Sequence, residues 1–309
     1  MKILKPRFWD KKGILSILLL PLAMIYGSAL FLRKKIIKSK LFDIPIVCVG
    51  NIYIGGTGKT PISIFIAREL SKLKKNPVIL RKFYQNHNDE YVLLKKYFKN
   101  LIISKNRVQG IIEAKKSKFD CVILDDGFQD YTIEKKLSII CFNQKQLIGN
   151  GLVIPAGPLR EKLENLRHAQ IVLINGKKDE DFENFILKLN NKLEIYYFNY
   201  KPINANEFHG KKLLAIAGIG NPENFFDILL EEGLHIEKRV ILPDHFKPSE
   251  SEMITIIDEA RKNNFQVITT EKDYLRIKDY GLDEINYLKT ELILINSSKL
   301  IKKIISVYD

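Results

Sequence analysis

The run of residues 47–60, VCVGNIYIGGTGKT, constrains the fold more than any other stretch: a strand-length apolar segment empties into a glycine-rich turn ending Gly58-Lys59-Thr60, and the helix-patterned PISIFIARELSKL comes next. Strand, glycine turn and helix in that order are the grammar of a phosphate-binding loop, and a loop of that kind needs a parallel sheet with crossover helices around it. Gly55, Gly56 and Gly58, with Thr57 between them, let the backbone wrap an anion with its N–H groups inward. Lys59 is placed to reach the β- and γ-phosphates, and the Thr60 hydroxyl to ligate magnesium. The expected ligands are therefore ATP and Mg2+. The general pattern G-x-x-x-x-G-K-[ST] asks for glycine where this chain has Tyr53; the Gly55-Gly56 doublet matches the G-G-x-G-K-T variant instead.

With 309 residues the chain has room for two α/β domains. After the loop, apolar strand-like runs alternate with helical patterns, and near residue 204 the alternation restarts, ending in the strand-like residues 266–269. The fold class expected is α/β, a P-loop-type parallel sheet with helices on both faces, a smaller second α/β lobe and an N-terminal apolar helix. The boundaries expected are residues 1–40 for the apolar helix and its basic flanks, 41–203 for the nucleotide-binding core and 204–309 for the smaller lobe. Cys48, Cys121 and Cys141 lie inside apolar runs with no C-x-x-C spacing and read as reduced core residues of a cytosolic protein. Gly218 and Gly220 lack the third glycine of a dinucleotide fingerprint.

Residues 13–32, GILSILLLPLAMIYGSALFL, contain no charge, and that length is enough to cross a bilayer core as one helix. Lysines and arginines flank it on both sides, so loop charge does not orient it. The triphosphate loop places the chain beyond Arg33 in the cytosol, leaving a single span or a helix lying in the inner leaflet with basic side chains on lipid phosphates. Fifty basic against thirty-six acidic residues, a net charge of +14, favours an anionic partner. The lysines are spread over many helix faces without an interleaved aromatic platform or a zinc pattern, so nucleic acid is not expected, and no obligate protein partner is evident.

A second element, FDCVILDDGFQD at residues 119–130, delivers Asp125 and Asp126 to the C-terminal end of a strand, where open α/β sheets bind ligands. A carboxylate there, beside a phosphate loop, holds magnesium or its water. Alternation along a strand sends one of the two aspartates toward the loop and the other elsewhere, without saying which. In NGLVIPAGPLRE, residues 150–161, prolines and glycines present Arg160, suited to clamping a phosphate, and Glu161, suited to the metal shell; a surface ion pair on a rigid turn is the alternative. Asp244 and His245 sit in a loop beyond another strand.

Taken in order, VGNIYIGGTGKTP, LDDGFQD, GNGLVIPAGPLRE, AIAGIGNPENFF, PDHF and TTEKD resemble the tetraacyldisaccharide 4'-kinase family, the lipid A 4'-kinases of Gram-negative bacteria, over nearly the whole chain. The resemblance implies transfer of the ATP γ-phosphoryl group to the 4'-hydroxyl of a lipid A disaccharide 1-phosphate, at the cytoplasmic face of the bacterial inner membrane. It also implies that Gln129 belongs with Asp125 and Asp126 around the metal, and that Asp89 and His245 form the catalytic base and its orienting partner. Two departures stand out. LRKFYQN replaces both glycines of the family's S-R-G-Y-G-R while keeping Arg81, and Asp130 stands where the D-D-G-F-Q box ends in histidine, which implies altered affinity or a compensating lysine. The rival reading is a membrane-associated P-loop ATPase switch or scaffold, whose loop commonly begins with lysine where this chain has Ile54.

Overall fold

A computed structural model of the chain describes residues 6–85, 87–244 and 246–308. In chain order its elements are α1 (Ile14–Leu18), α2 (Leu20–Ile36), β1 (Ile46–Gly50), α3 (Lys59–Lys72), β2 (Pro77–Lys82), α4 (Asn88–Tyr97), β3 (Leu101–Ser104), α5 (Arg107–Lys116), β4 (Cys121–Asp125), β5 (Leu137–Asn143) and β6 (Ile171–Asn175). They continue with α6 (Glu180–Leu189), β7 (Glu194–Pro202), β8 (Lys212–Ala217), α7 (Pro222–Glu231), β9 (His235–Ile241), α8 (Glu250–Lys262), β10 (Gln266–Thr270), α9 (Glu271–Ile277), β11 (Ile285–Leu288), β12 (Thr290–Leu294) and α10 (Ser297–Ile305). The described residues form two compact units: residues 6–83, 97–199 and 294–308 in the larger, 84–96 and 200–293 in the smaller. The expected division at residues 203 and 204 lies near one crossing, but most of α4 groups with the smaller unit and α10 with the larger.

The larger unit is organised by strands in the order β7-β6-β5-β1-β4-β2-β3, all paired in parallel. Parallel strands covered on both faces need apolar side chains on both faces, and β1, β4 and β5 are buried at every position. Ile46, Cys48, Val78, Leu80, Val122 and Leu124 pack with Ile111 and Ala114 of α5 and Phe182 and Ile186 of α6. The alternate strand residues Val47, Val49, Ile79 and Ile123 are equally buried and belong to the second face, with α3 and its buried Ile62, Ile66 and Leu70. Strand order reverses at β1, between β4 and β5, so the loops leaving β1 and β4 emerge side by side at the switch point. All three cysteines are free and buried, and burial raises the Cys48 thiol to about 11.

The smaller unit repeats the principle with a four-stranded parallel sheet, β11-β10-β8-β9. Along β8 the side chains alternate: Leu213, Ala215 and Ala217 join Phe225, Phe226 and Leu229 of α7, while Leu214 and Ile216 join Met253, Ile257 and Ala260 of α8. A capping box between Ser249 and Glu252 fixes the start of α8.

The N-terminal apolar segment departs from the single helix expected over residues 13–32. It forms α1 and α2, broken at Leu19, and no helix among the described residues is long and apolar enough to cross a membrane. Pro21, which has no N–H to offer the preceding turn and prefers the first turn of a helix, starts α2. Only Ala23 and Gly27 of α2 are buried, while Ile14, Met24, Ile25 and Ile36 are 67–78% exposed. The buried side is fixed by polar contacts to the segment before β6: Asn150 Nδ2 donates to Ser16 Oγ at 3.1 Å and to the Phe8 carbonyl at 3.0 Å, and the Tyr26 hydroxyl donates to the Arg160 carbonyl at 3.0 Å.

Candidate nucleotide site and a buried ion-pair cluster

In the larger unit β1 leads into the glycine turn, and Gly58 takes φ +87°, a left-handed conformation that only glycine adopts without strain. Asn51 holds the turn from inside, its Nδ2 donating to the Tyr53 carbonyl at 2.5 Å, the Thr57 hydroxyl at 3.1 Å and the Gly55 carbonyl at 3.3 Å. Tyr53 is buried and bridges to Leu159, while the Arg160 N–H donates to the Ile52 carbonyl at 2.7 Å and the Ile54 N–H to the Pro158 carbonyl at 2.9 Å. The departure from the glycine pattern at Tyr53 is thus a packing choice, which joins the phosphate loop to the IPAGPLRE segment. A Cβ at Gly157 would collide with Asn150 Oδ1 and the Leu152 carbonyl, so the tightness of that segment depends on glycine.

Sheet register decides what Asp125 meets. It pairs with Val49 on one side and Arg81 on the other, and its fully buried carboxylate accepts from Thr60 Oγ1 and Ser63 Oγ, each at 3.0 Å, and from the Arg81 guanidinium. Arg81 also donates to Thr60 Oγ1 at 3.3 Å. Asp126 does not continue the strand alternation. Its φ is +58°, its N–H donates to the Val49 carbonyl at 2.9 Å, and its carboxylate turns to Arg160 at 2.8 Å and Lys59 at 3.9 Å. Both aspartates therefore face the loop and its helix, where strand alternation alone predicted one. Burial pushes the Asp126 carboxyl up, but Lys59, Arg160 and Arg81 outweigh it and hold its pKa well below the usual carboxylate range. Burial lowers the Lys59 ammonium, with Asp126 opposing.

Gln129 donates to the Asn51 carbonyl at 2.7 Å and accepts from Arg160 at 3.4 Å, so it links the phosphate loop to the arginine. Glu161, almost fully buried, accepts from the Tyr131 hydroxyl at 2.5 Å and Asn165 at 2.8 Å, and burial raises its pKa. Asp130 pairs with Arg107 at 3.1 Å and accepts from Thr132 at 2.5 Å, and Arg107 also donates to the Asp126 carbonyl at 2.6 Å. The basic partner implied by an acid at position 130 exists, but it is an arginine contributed by α5. Sequence reasoning overlooked Asn51, Ser63 and Arg107; Ser63 alone carried a local signal, one helical turn beyond Lys59.

In the smaller unit Asp89 lies buried in the first turn of α4, and its Oδ2 accepts from Arg276 Nε at 2.9 Å and Nη2 at 2.7 Å. Lys272 stands 3.7 Å from Asp89, 3.2 Å from Glu90 and 3.6 Å from Asp244. Burial lowers the Lys272 pKa, with Asp244 and Asp89 opposing. Arg276 Nη1 donates to the Gly218 carbonyl at 2.7 Å, and the Gly218 N–H donates to Asp273 at 2.9 Å. The motifs AIAGIG and TTEKD and the helix carrying Asp89 therefore meet in one ion-pair cluster that includes Asp244. His245 lies outside the described residues.

Comparison with known proteins agrees over almost the whole length. Residues 15–309 match the family of tetraacyldisaccharide-1-P 4'-kinases. The tetraacyldisaccharide 4'-kinase of Pelagibacter ubique is 39% identical over 99% of this chain and 98% of its own length, and that of Rickettsia felis 32% identical over 98% and 97%. Among solved structures, LpxK of Aquifex aeolicus in complex with ATP has the same fold, with TM-score 0.70 and 22% identity over 96% of this chain and all of that one.

Proposed function

Because the chain belongs to the tetraacyldisaccharide-1-P 4'-kinase family, and is on that ground an ATP-dependent kinase of lipid A biosynthesis, we propose how its residues divide that work. Lys59 and the turn of Gly55, Gly56, Thr57 and Gly58 hold the β- and γ-phosphates of ATP, and Arg160 clamps the γ-phosphate when it exchanges Asp126 for substrate. Magnesium fits the donors present. Thr60 Oγ1 and the Asp125 carboxylate, 3.0 Å apart, are hard oxygens, and Mg2+ takes one or two protein oxygens beside phosphate and water. Among the described residues there is no group of three or more His, Cys, Asp or Glu side chains suited to a metal, which agrees with an ion carried in on nucleotide. When bound, the ion would neutralise charge on the β- and γ-phosphates. Asp126 stays beside Lys59 to tune the site, Gln129 orients Arg160, and Glu161, tied to Tyr131 and Asn165, holds the Arg160 segment instead of joining the metal.

The 4'-hydroxyl oxygen of the lipid A disaccharide 1-phosphate forms its bond to the γ-phosphorus as the bond to the β,γ-bridging oxygen breaks, and ADP departs with that electron pair. The hydroxyl proton passes to the pair formed by Asp89 and His245. Asp89, the acid of this pair, lies buried within ion-pair distance of Lys272 and Arg276. The exposed apolar side chains of α1 and α2 suit insertion into the cytoplasmic leaflet of the inner membrane. The observation that carries the proposal is the contact between Thr60 of the loop helix and Asp125 at the strand end.

The test is transfer of labelled γ-phosphate from ATP to a tetraacylated glucosamine disaccharide 1-phosphate with magnesium, beside Lys59→Ala. Labelled lipid formed only by the intact loop supports the assignment, whereas ATP hydrolysis without labelled lipid would make the chain an ATPase switch.

A further inference from the structure

The segment TTEKD, residues 269–273, ends β10 and opens α9 in the smaller unit, and its three charged side chains meet different partners. Glu271 accepts from Lys96 at 2.6 Å, and Asp273 accepts from the Gly218 N–H at 2.9 Å and the Thr270 hydroxyl at 2.7 Å. Lys272 Nζ donates to Glu90 Oε1 at 3.2 Å and stands 3.6 Å from Asp244 Oδ1 and 3.7 Å from Asp89 Oδ2. A cation in the first turn of a helix sits where the helix dipole disfavours it, so these acids, not α9 itself, account for the lysine. Arg276 and Lys272 approach Asp89 in different ways. Arg276 gives two N–H groups to Oδ2, at 2.9 Å and 2.7 Å, and its Nη1 is fixed by the Gly218 carbonyl at 2.7 Å and by Asp273. A Cβ at Gly218 would meet Asp273 Oδ1 at 3.0 Å and Arg276 Nη1 at 3.2 Å, so glycine keeps that arrangement tight. This inner pair, with each side chain 4% exposed, is enough to tie α4 to α9. Lys272, 19% exposed, sits between it and Asp244, 35% exposed. Its distances to Asp89 and Asp244 are longer than hydrogen bonds, so it serves them as a shared charge.

Asp89, Glu90, Asp244 and Asp273 bring four carboxylates to Lys272 and Arg276, and His87 meets Glu90 at 3.0 Å. Two carboxylates that share one ammonium repel once it is gone, and a repelled carboxylate shifts or takes up a proton. We propose that Lys272 is a positioning residue for the phosphoryl transfer: it draws the Asp89 carboxylate and the segment of Asp244 onto one ammonium, so that Asp89 is held to receive the proton of the acceptor hydroxyl. The inference rests on the reading above of Asp89 as the base. Lys272 keeps its own protons throughout. The 4'-hydroxyl proton goes to Asp89 as the hydroxyl oxygen bonds to the γ-phosphorus and ADP leaves with the electron pair of the broken bond. A lysine suits this task because its ammonium is a compact charge with three donors that several acids can share, whereas a planar guanidinium is matched to one. Its partners Asp89, Glu90 and Asp244 are not part of the phosphate loop, so its loss is felt in the rate and not in ATP binding.

The experiment is a kinetic double-mutant cycle on the full chain, with Lys272→Met and Asp89→Asn alone and together, read by transfer of labelled γ-phosphate to the tetraacylated disaccharide phosphate. Lys272→Met is expected to lower kcat about thirtyfold with KM for ATP within about twofold, and Lys272→Arg, which keeps the charge, to lower kcat only about threefold. In the Asp89→Asn background Lys272→Met should cost less than about twofold more, because its effect passes through Asp89. The same loss in both backgrounds, or an unchanged kcat in Lys272→Met beside a lowered urea midpoint, makes the lysine merely structural and overturns the inference while leaving Asp89 as the base. A rise in KM for ATP that matches the fall in kcat places Lys272 with the nucleotide and also overturns it. Wild-type kcat in Asp89→Asn overturns the base itself, and the inference with it. If Lys272→Met does not fold, Lys272→Arg carries the same cycle: its smaller loss must vanish in the Asp89→Asn background, and its persistence there overturns the proposal.

Discussion

Arg107 holds Asp130 by an ion pair at 3.1 Å and, with its other terminal nitrogen, the carbonyl of Asp126 at 2.6 Å. An acid at position 130 and an arginine in α5 thus act together on the backbone of the aspartate that faces Lys59. The left-handed conformation of Asp126 is held from three sides: its N–H by Val49, its carbonyl by Arg107 and its carboxylate by Arg160.

If that pair acts as a unit, Asp130→Ala and Arg107→Ala will not be additive. A double-mutant cycle read by urea denaturation is expected to show a coupling of about 1–2 kcal/mol, and both single variants should raise KM for ATP. Additivity within about 0.5 kcal/mol would mean that Asp130 and Arg107 are independent.

Asp125 and Arg81 are both almost wholly buried. Asp125→Ala removes the carboxylate that the buried Arg81 guanidinium donates to and is expected to cost about 3–5 kcal/mol of stability, considerably more than Asp126→Ala. Chemical denaturation of the two variants side by side checks the order, and the reverse order would place the structural charge pair at Asp126.

The depressed pKa of Asp126 has a consequence for acid stability. A carboxyl whose folded-state pKa lies below its unfolded value, about 3.9, contributes stability that is complete above that value and lost as pH falls through the folded pKa. The stability difference between wild type and Asp126→Asn should therefore hold steady near neutrality and shrink as the pH is lowered below about 4. Denaturant midpoints measured across that range test the sign; a difference that grows toward acid would contradict it.

The roles proposed for the two units separate in kinetics. His245→Ala should lower kcat with KM for ATP nearly unchanged, because it acts on the acceptor proton, whereas Lys59→Ala should impair both. Arg276→Ala, which removes two donors to Asp89, is expected to behave like His245→Ala. Steady-state kinetics with ATP as the varied substrate distinguishes the patterns, and an equal loss of ATP affinity in His245→Ala would remove it from the acceptor side.

Much of the fold was legible because its signals are local. The apolar runs that became β1, β4, β5 and β6 are buried on both faces and needed no partner to be recognised, and the glycine turn, Lys59 and Thr60 were readable from spacing alone. β7 was not anticipated, although residues 195–198 offer a short apolar run; beyond Phe198 its positions mix exposed and buried side chains. The helix break at Leu19 was hidden inside an uninterrupted apolar stretch, although Pro21 marked where a new helix would start.

What the sequence by itself determined is the chemistry available: a phosphate loop, two carboxylates at a strand end, an arginine on a rigid turn, and an apolar segment flanked by basic residues. What only the tertiary structure decided is which charge meets which. Arg81 reaches Asp125 across 44 residues through strand register, and Arg276 reaches Asp89 across 187. A loop signature is set by backbone geometry within a few residues and survives in one dimension. An ion pair between distant segments exists only once a sheet and its helices have brought them together, and Asp126 reached Lys59 only because a left-handed residue broke the alternation that a strand would have imposed.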